Sequence, residues 1–441
     1  MKKEQTGELK QHIVPLPQLF MCFYACLAFL PHLFMYELSA TAYCLALVFL
    51  LTVFVISKPI VKKGLPLLYL FAWIAALAVL LINYLFRYRS RVVLIDVGVL
   101  ICGFVLIACF SKAFNHYLAA LVVIKGMAIF FGIGVILQGL IPSAYRVIIK
   151  LFPSNLQGAL RRNLPTGRIE GFTTNPGFAA GYVIAGVFAI CALSKRDKRS
   201  MNRDLIVILL LMASLLMVGK RGPFLFMIMS LAIIRILPER GTRRVKKLWI
   251  GLMVFSSIIV LFYLLQDVLV NIPLLRRYVA TIQGFLGGDD VSSGRSRLTS
   301  WAIELFRQNP IVGIGWGRYR TTTLGNATRV KYLDTHNVYL QLLSETGIIG
   351  FAAFALVFAL SWNMTRKGYC ECIRSEDEML IKWLPSLTFS FAFQTFFLLY
   401  CLSGNPLYDQ FYQMLYALSC SVAVAYNYVS GKRLGRGNVQ P

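Results

Sequence analysis

Long apolar runs recur along this chain from one end to the other, with hydrophilic stretches between them. Many runs approach twenty residues, the length that an α-helix needs to cross a hydrocarbon core about 30 Å thick. Inside such a core every backbone polar group must be satisfied, and helices satisfy theirs internally. The pattern therefore predicts an all-α integral membrane protein, folded as a single polytopic domain over residues 1–441.

The apolar runs predict about twelve transmembrane helices. They lie at residues 15–36, 38–57, 65–86, 92–111, 116–141, 172–194, 203–218, 221–237, 247–270, 336–362, 380–402 and 408–429. A large polar interval, residues 271–335, separates the ninth and tenth helices and carries amphipathic helical sequence. Its segment "SRLTSWAIELFRQNP" places one apolar face on a helix, formed by Leu298, Trp301, Ala302, Leu305 and Phe306. Such a helix would lie on the membrane surface or cover a cavity.

Composition and charge support the same class and predict an orientation. The chain is 58% hydrophobic and only 15% charged, against about 25% charged residues in ordinary soluble domains. Most of the net charge of +26 lies in short connectors such as "SKRDKRSMNR" and "PERGTRRVKK". The positive-inside rule then places both termini in the cytoplasm and residues 271–335 outside. Basic connectors also contact anionic membrane lipids, so the charge needs no nucleic acid partner.

Several arginines fall on the predicted external side, against the positive-inside bias. They include Arg168, Arg221, Arg295 and Arg297. Guanidinium groups match the geometry of phosphate oxygens, so a phosphate-bearing lipid substrate would explain them. For any single arginine, solvated loop charge is the simpler alternative.

Four external segments occur in a fixed order. They are "RIEGFTTNPGFAAGYV" (168–183), "GKRGPF" (219–224), "SRLTSWAIELFRQNPIVGIGWG" (296–317) and "HNVYLQLLSETGIIG" (336–350). This ordered set resembles the O-antigen ligase and O-antigen polymerase family of bacterial polysaccharide assembly. One departure is Gly177, which stands where the family often has a second asparagine after the Asn-Pro pair.

The resemblance implies an inverting, metal-independent glycosyltransferase of the bacterial inner membrane, without a cofactor and with its active site on the external face. Its donor would be a glycan on undecaprenyl diphosphate. Its acceptor would be a hydroxyl of a lipid-linked chain in a polymerase, or of the lipid A core in a ligase, and both remain open. Membrane lipids, a flippase and a chain-length regulator are the further partners that such a system implies.

The resemblance also assigns residues to roles. His336, one of four histidines in the chain, holds the place of the family's essential histidine. Arg221, Arg297 and Arg168 match its arginines, and Arg295 is an alternative to Arg297. Their chemistry suits the reaction, because a departing diphosphate needs charge stabilisation and a neutral imidazole, with an ordinary pKa of about 6.5, can accept a proton. Supporting roles would fall to Asn337 and Trp301.

A transporter is the main alternative function. Asp96, Lys125 and Asp409 fall within or near apolar runs, and ionisable groups in membranes often mark transport pathways. Against it, the two halves show no clear internal repeat of the kind that many transporters have.

A metal site is not predicted. Cys370 and Cys372 form a lone C-x-C in a hydrophilic stretch that we expect to be a loop, and zinc needs four ligands. The acids of "GGDD", residues 287–290, lie in a glycine-rich stretch typical of a loop tip.

Overall fold

A computed structural model describes residues 15–30, 47–49, 52, 66–162, 169–194, 198–265, 268, 271, 279, 283–284, 295–322 and 334–433. Across these ranges the regular secondary structure is helical, without a β-strand. The first eight helices are α1 (Leu16–Ala28), α2 (Leu67–Phe86), α3 (Arg91–Ala108), α4 (Phe114–Leu140), α5 (Pro142–Ile148), α6 (Ser154–Arg162), α7 (Pro176–Leu193) and α8 (Lys198–Val218). The others are α9 (Arg221–Ile236), α10 (Gly241–Leu264), α11 (Arg295–Gln308), α12 (Val338–Arg374), α13 (Glu378–Ile381), α14 (Leu384–Tyr400) and α15 (Gln410–Arg433).

Among the described helices, α2, α4, α7, α8 and α12 are long and apolar enough to cross a membrane. The helices α1, α3 and α14 are apolar but shorter. Each predicted span contains a helix named above except 38–57, of which only residues 47–49 and 52 are described, and these are helical. An all-helical membrane protein is therefore supported. The count of twelve crossings and the division into one domain with an external 271–335 segment stay predictions.

The core is built around α7, α14 and α15, which are buried over most of their length. Small residues let α7 approach its neighbours closely. A β-carbon added at Gly186 would lie 2.2 Å from the Ala128 side chain of α4. One added at Gly181 would lie 2.2 Å from the Tyr412 hydroxyl of α15. This close packing fixes the start of α7 beside the start of α15.

Helix α12 is longer than the sequence predicts, and it is interrupted. It runs from Val338 to Arg374, with non-helical dihedral angles at Gly347 (φ 64°, ψ −168°). Cys370 and Cys372 therefore lie at the end of a helix, and the expectation that they occupy a loop is wrong. The Cys372 side chain is buried, as suits a small apolar residue.

Helix α11 uses its apolar face to pack on the protein. Leu298, Ala302 and Leu305 are buried, and the last two form a small cluster with Ile314 and Tyr319. Leu340 of α12 packs against this cluster. This packing fixes the start of α11, and with it Arg295, over the beginning of α12.

Candidate functional site

A cavity of about 470 Å³ lies at the end of the bundle where α7, α9 and α12 begin. The first residue of α11 and the connector between α14 and α15 complete its wall. We call it the His336 cavity. It is lined by Asn175, Gly177, Phe178, Gly219, Lys220, Arg221, Gly222, Pro223, Arg295, Arg320, Asp334, His336, Tyr400, Ser403, Asn405, Pro406, Tyr408, Asp409 and Tyr412.

His336 lies immediately before α12, and its backbone has a positive φ of 55°. A non-glycine residue in this region is strained and persists only where its surroundings fix it. Here both neighbours are fixed. The Thr335 hydroxyl accepts a hydrogen bond from the Asn337 backbone N–H at 3.0 Å, and the Asn337 side chain caps α12 by accepting from the Leu340 N–H at 3.2 Å. Asn337 thus orients the loop that carries His336, residues 334–337, which we call the histidine loop. Asn337 does not itself line the cavity.

The surroundings of His336 favour a neutral imidazole. Partial burial lowers its pKa from the ordinary value of 6.5, and the nearby charges of Arg295 and Lys220 lower it further. Asp334 acts in the opposite direction, but the net change in pKa is downward. Since only the neutral ring has a free lone pair, His336 can accept a proton at neutral pH.

Lys220, Arg221 and Arg295 form a cationic wall of the His336 cavity. A tight turn at Gly219, with φ 67°, reverses the chain so that Arg221 begins α9. The Lys220 side chain has no hydrogen-bond acceptor and does not cap that helix, and the positive end of the helix dipole favours an anion. The guanidinium of Arg295 donates to the Ser403 carbonyl at 3.2 Å, and Ser403 lies close to Gly222 in the first turn of α9.

The structure brings together only some of the residues predicted from the sequence. His336, Arg221 and Arg295 line one cavity, whereas Arg297 lies outside the lining. Trp301 lines a separate surface depression, where its indole N–H donates to the Thr322 hydroxyl at 3.0 Å. Arg168 lies outside the described residues, as does the 287–290 segment.

An ion pair in the cavity wall was not predicted. The guanidinium of Arg320 binds both carboxylate oxygens of Asp334, with N–O distances of 2.5 and 3.0 Å. This two-point contact joins the turn after α11 to the histidine loop. The negative charge of Asp334 balances most of the positive charge of Arg320. Nothing in the sequence indicated the pairing, because the two residues are separated by a polar stretch with no periodic pattern.

Another wall of the cavity, formed by the end of α14 and the start of α15, is aromatic and acidic instead of cationic. It presents Tyr400, Tyr408, Tyr412 and the carboxylate of Asp409. The rings of Tyr400 and Tyr412 lie 5.5 Å apart, and Asp409 accepts a hydrogen bond from the Phe411 N–H at 2.9 Å at the start of α15. We call this the tyrosine wall. The sequence singled out Asp409 but none of the tyrosines, which are among 21 in the chain.

Beneath the cavity, the carboxylate of Glu345 holds three segments together. It accepts hydrogen bonds from the backbone N–H groups of Gly317 and Tyr319, at 2.8 and 3.0 Å. It also accepts from the Tyr408 hydroxyl at 2.8 Å. This buried acid therefore connects the glycine-rich turn, residues 313–317, and the tyrosine wall to α12. Its role is structural.

Comparison with known proteins gives the site its context. Residues 205–355 match the family model described as O-Antigen ligase. The predicted family resemblance is confirmed. The chain is also 27% identical over 124 residues to the exopolysaccharide production protein ExoQ of Rhizobium meliloti (strain 1021). That match covers 26% of this chain and 28% of the relative.

These findings show that part of the chain is similar to the O-antigen ligase family and to a protein of exopolysaccharide production, and its long apolar helices fit a membrane protein. The matched segment includes the cationic wall and His336, whereas the tyrosine wall lies beyond residue 355. The cavity is therefore lined both by residues of the matched segment and by residues beyond it.

Proposed function

We propose that this protein is a membrane glycosyltransferase that moves a glycan from undecaprenyl diphosphate to an acceptor hydroxyl on the external face of the bacterial inner membrane. The observation that carries the proposal is the meeting of His336 with Lys220, Arg221 and Arg295 around one cavity. The cations can bind the donor diphosphate, and the neutral imidazole can accept the proton of the acceptor hydroxyl. The proposed reaction inverts the anomeric centre and needs no metal ion.

The cationic wall would bind the donor diphosphate. Charge grows on the diphosphate as the glycosidic C–O bond breaks, and cations in a partly enclosed site stabilise that charge more strongly than they would in water. Arg221 and Arg295 can each donate two parallel hydrogen bonds to phosphate oxygens. Lys220 adds a compact charge beside the first turn of α9. Together these groups supply the stabilisation that a divalent ion provides in other enzymes.

His336 would act as the general base. The acceptor oxygen attacks the anomeric carbon while its proton passes to the imidazole, and the bond from that carbon to the diphosphate oxygen breaks. The products are the new glycosidic bond, undecaprenyl diphosphate and a protonated His336, which then returns its proton to water. General-base catalysis of this kind contributes roughly 10²–10⁴-fold to a rate.

The tyrosine wall would hold the acceptor sugar. Tyrosine rings pack on the apolar faces of sugars, and the Tyr400 hydroxyl and the Asp409 carboxylate can bind sugar hydroxyl groups, whereas the Tyr408 hydroxyl is bonded to Glu345. This wall faces the same cavity as His336, as an acceptor site must. Its position outside the matched family segment suits a surface that distinguishes one acceptor from another.

Reconstitution tests the proposal directly. The purified chain in proteoliposomes receives the lipid-linked glycan extracted from its source cells, in the presence of a chelator and with or without lipid A core. A ladder of longer lipid-linked chains would identify a polymerase, and a single transfer to the core would identify a ligase. Wild-type protein that makes neither product, in preparations that bind the donor, would contradict the proposal.

Substitution of Asp409 tests the acceptor site. Asp409→Asn keeps a side chain that caps α15 equally well but removes the charge. We expect the KM for acceptor to rise roughly tenfold, since a hydrogen bond to a charged group contributes about 1.5–3 kcal/mol, while the KM for donor stays unchanged. The matched control is Asp377→Asn, because Asp377 caps α13 in the same way, accepting from the Met379 N–H, and lies outside the cavity. An unchanged acceptor KM in Asp409→Asn would exclude this role.

The residues that favoured a transporter have structural partners. The Lys125 ammonium pairs with Asp204 at 2.7 Å, which joins α4 to α8. The Gln410 side chain donates to the Asp96 carboxylate at 2.9 Å, which joins α15 to α3. Asp409 caps α15. These contacts account for the ionisable groups within the helices, and we therefore favour catalysis over transport.

A further inference from the structure

A second concave site lies at the opposite ends of the helices that form the His336 cavity. Helix α9 begins at the cavity with Arg221 and ends near this groove, about 24 Å away at 1.5 Å per residue. The groove has a volume of about 600 Å³. We call it the basic groove. It is lined by Leu237, Arg240, Arg244, Arg366, Lys367, Cys370, Glu371, Arg374, Ser375 and Leu380.

Five cationic side chains share this groove with one carboxylate, that of Glu371. Grouped like charges repel one another, and the repulsion is relieved when an anion binds among them. The nearby acid Glu239 does not provide that relief, because it is paired with Lys247 and lies outside the lining. The positive-inside rule explains cations in a connector. It does not explain why cations of α12 face those of the α9–α10 connector across one concavity.

The arginines of the groove are held in place by the protein. Arg244 donates to the carbonyls of Leu237 and Glu239, both at 2.8 Å. Arg374 donates to the Pro238 carbonyl at 2.7 Å. Arginines of α10 and of α12 therefore both bind backbone carbonyls of the turn after α9. Arg366 donates to Asn363 at 3.0 Å. Each guanidinium has five N–H groups, and these contacts leave donors for a ligand on side chains whose conformational freedom is already reduced.

The groove also has an apolar side. Leu237 and Leu380 belong to its lining. Next to them in the sequence and on the adjoining turn of α12, Ile381 and Ile373 are exposed to 41% and 42%. A soluble phosphate ester has no apolar part to contact this surface. A phospholipid has acyl chains attached to its headgroup, and these chains can cover it. Basic pockets at the ends of membrane helices commonly bind anionic headgroups.

We propose that the basic groove binds the phosphate of an anionic phospholipid from the leaflet opposite the His336 cavity. Arg240 and Lys367 face the phosphate from the two sides of the groove, and the braced arginines complete the positive site. The lipid would join the α9–α10 connector to the end of α12, and so stabilise the two helices whose other ends form the cavity. The proposal is independent of the glycosyltransferase reaction.

The test measures lipid binding by the full-length chain in detergent, using native mass spectrometry and thermal unfolding. The probes are cardiolipin, zwitterionic phosphatidylcholine and soluble glycerol 3-phosphate. We expect cardiolipin to bind and to raise Tm, and the two other probes to have little effect. In the double variant Arg240→Gln/Lys367→Gln, cardiolipin affinity should fall roughly 25-fold, about five-fold for each cation removed.

The matched control is Arg243→Gln/Lys246→Gln, which removes two exposed cations of α10 that lie outside the lining. The control should bind cardiolipin as the wild type does. Equal losses in both double variants would show that general surface charge attracts the lipid, and unchanged binding in Arg240→Gln/Lys367→Gln would exclude the site. Stabilisation by glycerol 3-phosphate equal to that by cardiolipin would overturn the lipid assignment. If the double variant does not fold, each single variant should still show its five-fold loss.

Discussion

At the scale of single residues, His336 owes its proposed role to three features of its surroundings. Its backbone is fixed in a left-handed conformation, its ring lines a cavity, and its pKa is lowered by burial and by Arg295 and Lys220. A base with a lowered pKa stays neutral as the pH falls, so it remains competent over a wider range than a free histidine.

This predicts a specific pH profile. The wild-type rate should stay level from pH 8 down past the ordinary histidine pKa of about 6.5, and should decline only when the pH falls below the lowered pKa of His336. His336→Ala should lose roughly 10²–10⁴-fold in kcat and lose this acid limb. The control is His116→Gln, which keeps a polar partner for Ser111 at a site outside the cavity. An acid limb that persists in a weakly active His336→Ala would assign the titration to another group.

The two loop arginines provide a second prediction at this scale. Both arginines are exposed, but Arg295 lines the cavity and Arg297, two residues along the same helix, does not. Arg295→Gln should therefore lower kcat roughly 10²–10³-fold, the range seen when a donor to a developing negative charge is removed. Arg297→Gln should stay within a few-fold of wild type. Steady-state rates of the two variants in parallel decide between them, and the reverse order would exchange their roles.

At the scale of elements, the interruption of α12 at Gly347 lets the segment after α11 pack closely against that helix. The glycine-rich turn lies against this point, with the Ile314 N–H bonded to the Ser344 carbonyl at 3.0 Å and the Gly315 N–H bonded to the Glu345 carbonyl at 2.8 Å. A β-carbon at Gly347 would lie 2.2 Å from the Ile311 carbonyl oxygen. Only glycine allows both the dihedral angles and this close approach.

Gly347→Ala should therefore destabilise the protein by at least about 1–3 kcal/mol, the usual free energy of such backbone strain. The measurement is thermal unfolding in detergent, followed by transfer activity. Gly251→Ala is the control, because a β-carbon at Gly251 meets open space and alanine stabilises a helix interior by roughly 0.5–1 kcal/mol. A Gly347→Ala protein as stable as wild type would show that α12 can continue unbroken here.

At the scale of the whole molecule, the proposed reaction depends on the side of the membrane that the His336 cavity faces. The positive-inside rule predicts cytoplasmic termini and an external 271–335 segment. A green fluorescent protein fused after residue 433 should therefore fluoresce, and an alkaline phosphatase inserted within 271–294 should be active. The opposite pair of results would place the cavity in the cytoplasm, where the connectors with the densest basic charge are predicted to lie.

The sequence by itself determined that this is a helical membrane protein and led to the proposed chemistry. Apolar runs of this length predict helices because a helix satisfies its backbone groups within one segment, and ordered motifs indicated the family and His336. The tertiary structure decided which residues meet. Arg295 rather than Arg297 lines the cavity, because the apolar face of α11 packs on α12 and fixes the helix rotation. The tyrosine wall, the Arg320–Asp334 pair and the basic groove join segments far apart in the chain, and periodicity within one segment carries no information about its distant neighbours.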